Sequence, residues 1–142
     1  MKIAIGCDHA GYEIKLAVME WMHDRGHEAE DFGTYSMASV DYPDFVHPVA
    51  KEVEAADYDF GVLVCGSGQG VTMTANKYAG IRAALCWIPE IASMTRKHND
   101  ANILCIPGRY VDRETAFAIL DAFFSTEFEG GRHQNRINKI PK

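Results

Sequence analysis

Short apolar runs alternate with longer segments of helical periodicity along most of this chain. A short apolar run predicts a strand buried on both faces, and apolar residues spaced three to four apart predict an amphipathic helix. The predicted strands are residues 2–6, 27–31 (the weaker candidate), 60–64, 81–86 and 102–106. The predicted helices are residues 12–24, 43–56, 69–77, 89–97 and 113–124.

This strict alternation predicts one α/β domain over residues 1–142, a three-layer α/β/α Rossmann-like fold with a five-stranded parallel sheet. Residues 127–142 form a polar tail that cannot fold alone and is expected to pack on another surface. In such sheets ligands bind outside the carboxyl ends of the strands. We therefore expect three segments that directly follow strands to converge, namely 7–9, 65–67 and Cys86.

Composition and charge narrow the class of protein. The formal net charge of −6 argues against a nucleic-acid partner, because no broad excess of Lys and Arg exists to meet phosphates. No apolar stretch approaches the roughly 20 residues that span a bilayer, so no membrane association is expected. The four cysteines form no C-x-x-C pair and no export signal precedes them, which favours free thiols, no zinc site and a cytoplasmic location.

A glycine-rich turn follows the central apolar strand and carries the most informative chemistry. Its sequence is Cys65-Gly66-Ser67-Gly68-Gln69-Gly70, which offers a thiol, a hydroxyl and backbone N–H groups free to approach a ligand. That combination suggests carbanion or acyl chemistry on a small anionic molecule. Two other interpretations remain: Cys65 as a small buried hydrophobe, and the glycines as a packing turn. The G-x-G-x-G spacing differs from the dinucleotide fingerprint G-x-G-x-x-G.

Polar residues at other element ends supply further candidates. Asp8 and His9 follow the first strand, where imidazole is able to bind phosphate or carry protons and Asp8 is also a candidate helix N-cap. His98 and Asn99 close a predicted helix, where a C-terminal cap is the alternative interpretation.

Three arginines suggest a small basic pocket in an otherwise acidic chain. Arg132 and Arg136 lie four residues apart, so a helical turn would place both guanidinium groups on one face. Two adjacent guanidinium groups repel unless an anion lies between them, and their planar forks suit phosphate. Arg109, at a strand end, is a third candidate. The alternative for the pair is a solvated tail.

Taken together, these segments closely resemble the type B ribose-5-phosphate isomerases of the ribose/galactose isomerase family. The resemblance runs from residue 3 to about residue 137, with the motifs in family order and spacing. The matching motifs are Gly6–Gly11, Asp41–Pro43, Cys65–Gly70, Ala75–Lys77, Gly80–Ala84, His98–Asn102 and Glu129–His133. Relatives that use a Glu base shortly after the glycine turn lack the thiol. This chain has Val71 there and retains Cys65, so it resembles the cysteine-base group.

The resemblance implies an aldose–ketose isomerase that acts on a small sugar phosphate without metal or organic cofactor. It implies that Cys65 moves a proton between C2 and C1 through an enediolate and that His98 opens the furanose ring. Ser67 and the amides of the turn would support the oxyanion. The remaining implied substrate ligands are Asp8, Asn99, Gly66, Gly68, Gln69 and Gly70 at the sugar, and His9, Arg109, Arg132 and Arg136 at the phosphate.

The resemblance also implies a site shared between two subunits, so a homodimer or a dimer of dimers is expected, with the tail packed on the partner. The expected reaction interconverts ribose 5-phosphate and ribulose 5-phosphate, in the non-oxidative branch of the pentose phosphate pathway. Alternatives are allose 6-phosphate, galactose 6-phosphate or a tetrose phosphate as substrate, or a nucleotide- or flavin-binding module. A thiol-redox role for Cys65 is disfavoured because no resolving cysteine lies nearby in sequence.

Overall fold

The computed structural model describes residues 1–141, which form a five-stranded, fully parallel sheet flanked by helices. The sheet order is β2-β1-β3-β5-β4. The strands are β1 (Lys2–Cys7), β2 (Glu28–Asp31), β3 (Phe60–Cys65), β4 (Ala83–Leu85) and β5 (Ile103–Pro107). The helices are α1 (Tyr12–Asp24), α2 (Pro43–Glu54), α3 (Gln69–Ala75), α4 (Pro89–Asn99), α5 (Arg113–Phe124) and α6 (Arg132–Ile137), with a short 3₁₀ turn at His9–Gly11.

The predicted α/β fold is confirmed, and the largest boundary difference is at β4. The sequence predicts this edge strand over 81–86, whereas the ladder covers only Ala83–Leu85. Side chains form hydrogen bonds with the backbone amides at the start of the strand. Asn102 accepts from the amide of Arg82 at 2.8 Å, and Asn76 accepts from the amide of Ala83 at 2.8 Å. These bonds replace ladder hydrogen bonds, which shortens the strand.

Strand alternation divides the core into two layers. One face of the sheet packs on α1, α4 and α5 and the other on α2 and α3. Successive side chains of a strand point to opposite faces. Val64 therefore lies in the first layer, while Leu63 and Cys65 lie in the second, against α2 and α3. Cys7, at the end of β1, lies in the first layer.

The C-terminal segment contains a short helix that docks on its own chain. His133 and Ile137 are one turn apart on α6 and both are buried, whereas Arg132 and Arg136 are exposed. The backbone amide of Glu129 donates to the carbonyl of Lys97 in α4 at 3.1 Å. The tail thus packs on α4, and its contact with a partner subunit stays a prediction. Among the described residues, no helix combines the length and apolar character needed to cross a membrane.

Candidate active site

The thiol of Cys65 opens on a cavity of about 280 Å³ at the carboxyl end of the sheet. Two of the three segments expected to converge meet here, one after β1 and one after β3. The cavity is lined by Asp8, His9, Ala10, Tyr42, Cys65, Gly66, Ser67, Gly70 and Arg109. Cys86 does not join them, so that part of the expectation is wrong. It follows the edge strand β4, and β5 separates that strand from β3.

The turn after β3 is packed so closely that glycine is needed at two positions. Gly68 has φ of 73°, and a Cβ there would lie 2.4 Å from Cδ1 of Leu85. A Cβ at Gly70 would lie 2.5 Å from the ring of Tyr42. Both distances are far inside van der Waals contact. The turn is therefore held in one shape between the end of β4 and an aromatic ring at the cavity wall.

Two backbone amides of this turn have no hydrogen-bond acceptor among the described residues. The amides of Ser67 and Gly68 donate no backbone hydrogen bond within residues 1–141. The hydroxyl oxygen of Ser67 accepts from the amide of Gln69 at 3.3 Å, which leaves its own proton available for donation. Exposed Ser67 and these free N–H groups form a set of donors suited to an anionic oxygen.

Asp8 is the N-cap that its position in the sequence suggests, and it also borders the thiol cavity. Its Oδ1 accepts from the amide of Gly11 at 3.0 Å and so caps the 3₁₀ turn. The residue is buried, yet it also lines the cavity beside Cys65. The cap fixes the carboxylate at the cavity wall, where it is able to accept hydrogen bonds from ligand hydroxyls.

The imidazole of His9 has its tautomer set by a backbone donor. The amide of Val40 donates to Nδ1 of His9 at 3.2 Å, so the ring proton of the neutral imidazole lies on Nε2. His9 lines both the 280 Å³ cavity and an adjoining cavity of about 600 Å³ that it shares with Arg109. An Nε2–H group beside a guanidinium group is a donor pair suited to phosphate.

A buried lysine holds the segment that supplies the amide of Val40. Nζ of Lys15 is fully buried and donates to both oxygens of Asp31, at 3.0 and 2.7 Å, and to the carbonyl of Thr34 at 2.6 Å. This set satisfies all three ammonium protons. It anchors the chain between β2 and α2 from the side of α1, and the orientation of His9 depends on that chain.

Arg109 is tied to the glycine turn through the backbone. Its amide donates to the carbonyl of Gly66 at 3.0 Å, and the amide of Gly108 donates to the carbonyl of Cys65 at 2.8 Å. Its Nη1 lies 3.3 Å from the position that a Cβ of Gly66 would occupy. Within the described chain no carboxylate pairs with Arg109, Arg132 or Arg136. These three guanidinium groups are available to an anion.

The other three thiols are buried, and burial makes them unreactive at neutral pH. Burial raises the pKa of Cys7 to about 11, and it raises the pKa of Cys86 and of Cys105 to about 12. At neutral pH these groups remain protonated, and the thiol form is a poor base and a poor nucleophile. All four cysteines are unpaired. Cys65 is the one that lines the cavity.

Four further predicted site residues, His98, Asn99, Arg132 and Arg136, lie away from the cavity, toward the amino ends of the strands. Helix α4 runs from the carboxyl end of β4 back to the amino end of β5. His98 and Asn99, in its last turn, therefore lie at the opposite end of the strands from Cys65. Asn99 lines a separate cavity of about 700 Å³. Arg132 and Arg136 are on α6, which packs on α4. One chain therefore divides the predicted residues into two groups.

His98 is part of a cluster that also contains Glu129 and His133. The two imidazole rings are stacked, with centroids 4.5 Å apart and planes 15° apart. Oε1 of Glu129 lies 3.8 Å from Nε2 of His98 and 3.5 Å from Nε2 of His133. The three donor atoms are within 4.8 Å of one another, as in a metal site. However, a metal lies near the plane of each imidazole that binds it, and two stacked, nearly parallel planes share no such point.

Three residues of these two groups received no role from the sequence, although each stands in a motif of the resemblance. Tyr42 follows Asp41, and its ring forms a wall of the thiol cavity. Glu129 and His133 flank Arg132 and contact His98. The signal was their presence in those motifs, and only the three-dimensional contacts show what they touch.

Comparison with known proteins places the chain in a family. Residues 3–140 match the family model described as Ribose/Galactose Isomerase. The chain is 44% identical over 139 residues to ribose-5-phosphate isomerase B of Escherichia coli K12, covering 98% of this chain and 93% of that protein.

Solved structures agree with this match over nearly the full length of the chain. The ribose 5-phosphate isomerase of Thermotoga maritima superposes with a TM-score of 0.97 and 51% identity, covering 99% of this chain and 97% of that chain. The ribose-5-phosphate isomerase B of Mycoplasma genitalium, solved with bound ribulose-5-phosphate, gives a TM-score of 0.93 and 42% identity, covering 98% and 93%. The chain therefore belongs to the ribose/galactose isomerase family, as its motifs indicate.

Proposed function

We propose that this protein interconverts ribose 5-phosphate and ribulose 5-phosphate by proton transfer through an enediolate. The observation that carries the proposal is the cavity in which the thiol of Cys65 meets Asp8, His9, Ser67 and unpaired Arg109. Family membership supports the reaction class, and the M. genitalium relative binds the ketose product of this reaction.

Cys65 is the base of the proposed reaction. Its thiolate takes the proton from C2 of the open-chain aldose and returns it to C1, while the proton of the O2 hydroxyl passes to O1, which converts aldose to ketose. Negative charge develops on the sugar oxygens during the transfer. The hydroxyl of Ser67 and the free amides of Ser67 and Gly68 then stabilise that charge, a contribution that is often the largest in such reactions.

The phosphate is bound away from the thiol. Nε2–H of His9 and the guanidinium group of Arg109 border the same cavities, so they fix the phosphate while the sugar carbons reach Cys65. Holding the far end of the substrate converts binding energy into orientation of C1 and C2. The glycine turn therefore serves the reacting carbons, and the basic groups serve the phosphate.

We further propose that a second copy of the chain completes each site with His98, Asn99, Arg132 and Arg136. Within one chain these residues lie toward the opposite end of the strands from Cys65. In a two-fold dimer each site would take one group of residues from each subunit. The exposed guanidinium groups of α6, which have no carboxylate partner within residues 1–141, fit a role across an interface.

A turnover screen over four-, five- and six-carbon aldose phosphates tests the reaction and its substrate. We expect the five-carbon substrate ribose 5-phosphate to give the highest kcat/KM. A higher value with allose 6-phosphate, galactose 6-phosphate or a tetrose phosphate would reassign the substrate within the family. No turnover of any sugar phosphate, together with a bound flavin or adenine chromophore, would reject the isomerase assignment.

A further inference from the structure

We propose that His133 and Glu129 are positioning residues that hold the imidazole of His98 for opening the furanose ring. The inference rests on the proposed function, in which His98 acts on the ring form of the substrate. In that step the C1–O4 bond breaks and its electron pair goes to O4, which takes a proton from His98. The O1 hydroxyl loses its proton to water and becomes the aldehyde oxygen.

The position of His98 explains why it needs support. It lies in the last turn of α4, and its side chain is 37% exposed. No hydrogen bond to its ring is made within the described residues, so the flat face of His133, the stacking partner, is what restricts its rotation. Stacking stabilises an aromatic pair beyond what burial alone contributes, enough to favour one ring orientation severalfold.

His133 is a rigid support because its own side chain is fixed. Only 10% of that side chain is exposed. It shares the buried face of α6 with Ile137, and its backbone amide donates to the carbonyl of Gly130 at 3.3 Å. The bond from the amide of Glu129 to Lys97 fixes the start of this segment on α4. The exposed imidazole of His98 therefore rests on a buried one.

Glu129 adds a directional contact to the stack. A single oxygen, Oε1, faces Nε2 of both His98 and His133, at 3.8 and 3.5 Å. These distances exceed a direct hydrogen bond, so Nε2 of His98 is left free to reach a substrate oxygen. The carboxylate favours the ring orientation in which the Nε2 atoms of both rings face the same oxygen.

The same contact connects two functions of the proposed site. Positions 132 and 136 form the exposed face of α6, and positions 133 and 137 form its buried face. Because the buried face rests on His98 and α4, the stack sets where the guanidinium groups stand relative to the ring-opening imidazole. Loss of the ring of His133 is thus expected to disturb His98 first, since α6 also retains Ile137 and the backbone bond to Lys97.

The test separates ring chemistry from proton transfer at carbon. Ribulose 5-phosphate is acyclic, so exchange of its C1 hydrogen with D₂O reports enolisation by Cys65 without any ring step. Proton NMR follows this exchange. In a separate sample it follows the conversion of ribose 5-phosphate, whose furanose ring must open before its C2 proton is removed. For His133→Ala we expect exchange within about twofold of wild type and conversion slower by at least about tenfold, the scale of a misplaced catalytic group.

Three variants make the result decisive. His133→Phe keeps a flat stacking surface and is expected to recover conversion to within about threefold of wild type. Glu129→Gln changes an exposed side chain, so this variant is expected to fold and to test the cluster if His133→Ala does not. It is also expected to raise the ratio of exchange to conversion. Asn135→Ala, on an exposed position of the same helix, is the matched control and is expected to leave both rates unchanged.

Two results would overturn the inference. Equal losses of exchange and conversion in His133→Ala, or in Glu129→Gln if the first variant unfolds, would indicate a general structural role. Unchanged rates in both variants would show that His98 needs no support. Failure of the wild-type protein to convert ribose 5-phosphate at all would instead reject the proposed function, so the two failures are distinguishable.

Discussion

The amide of Arg109 donates to the carbonyl of Gly66 at 3.0 Å, which joins the segments that directly follow two neighbouring strands, β3 and β5. Gly66 follows the thiol of Cys65, and Arg109 is a proposed phosphate ligand. The distance between the reaction end and the phosphate end is therefore set by β3 and β5 and not by flexible loops. Sites built on regular elements hold their groups more accurately than sites built on loops.

Substitution of the thiol base is expected to stop the reaction. Cys65→Ala should abolish turnover of ribose 5-phosphate because no other described thiol lines the cavity, while calorimetric binding of the sugar phosphate should persist. Cys86→Ala is the matched control, a buried thiol that does not line this cavity, and it should retain activity if the protein folds. Substantial turnover by Cys65→Ala would remove Cys65 from the mechanism.

Thiol alkylation should distinguish Cys65, which lines the cavity, from the other cysteines. Burial raises the pKa of Cys7 to about 11 and of Cys105 to about 12, so their thiolate forms are nearly absent below pH 9. Iodoacetamide at pH 8 should modify Cys65 alone in the folded protein, as measured by peptide mass spectrometry. Early modification of Cys7 would show that its pocket opens in solution.

Removal of a phosphate ligand should weaken binding more than it slows chemistry. For Arg109→Ala we expect KM for ribose 5-phosphate to rise about 10- to 100-fold, the range for loss of a charge-assisted hydrogen bond. Any activity on unphosphorylated ribose should be unaffected, because that sugar lacks the group that Arg109 binds. Lys139→Ala, an exposed cation beyond α6, controls for net charge. Equal losses on both sugars would reject this role.

Two inactive variants should restore activity when their subunits mix. If each site takes Cys65 from one subunit and His98 from the other, a Cys65→Ala/His98→Asn heterodimer contains one intact site. Random pairing of equal amounts on coexpression gives half heterodimers, each with one working site of two, so about a quarter of wild-type activity is expected. Activity no greater than that of the separate variants would place each site within one chain.

The glycine of the turn should be more sensitive to substitution than a glycine in open space. Gly68 and Gly26 have nearly equal φ, 73° and 72°, but only Gly68 has neighbours where a Cβ would stand. Gly26→Ala should cost about 1 kcal/mol of unfolding free energy from backbone strain. Gly68→Ala should cost about 3 kcal/mol, since its Cβ would also crowd Leu85 and the backbone of Ile106 and Pro107, which cannot move aside as a side chain can. Urea unfolding measures both, and equal costs would show that the turn relaxes freely.

Local pattern accounts for much of what was predicted. The helix over 12–24 and the helix over 113–124 have the predicted bounds, because apolar spacing and, in the second, the cap by Asp112 act within a few residues. The capping role of Asp8 follows equally from its place after β1. Such features depend on neighbours in sequence, so sequence alone carries them.

The sequence by itself determined the alternation of elements, the parallel sheet, the family and the residue types that follow β1 and β3. The tertiary structure decided which of these meet. It placed Cys86 away from the cavity and docked α6 on α4. It also stacked His98 on His133 and put His98 at the opposite end of the strands from Cys65. These outcomes depend on which strands are neighbours and on the direction in which each helix returns, which are long-range packing choices that no local pattern encodes.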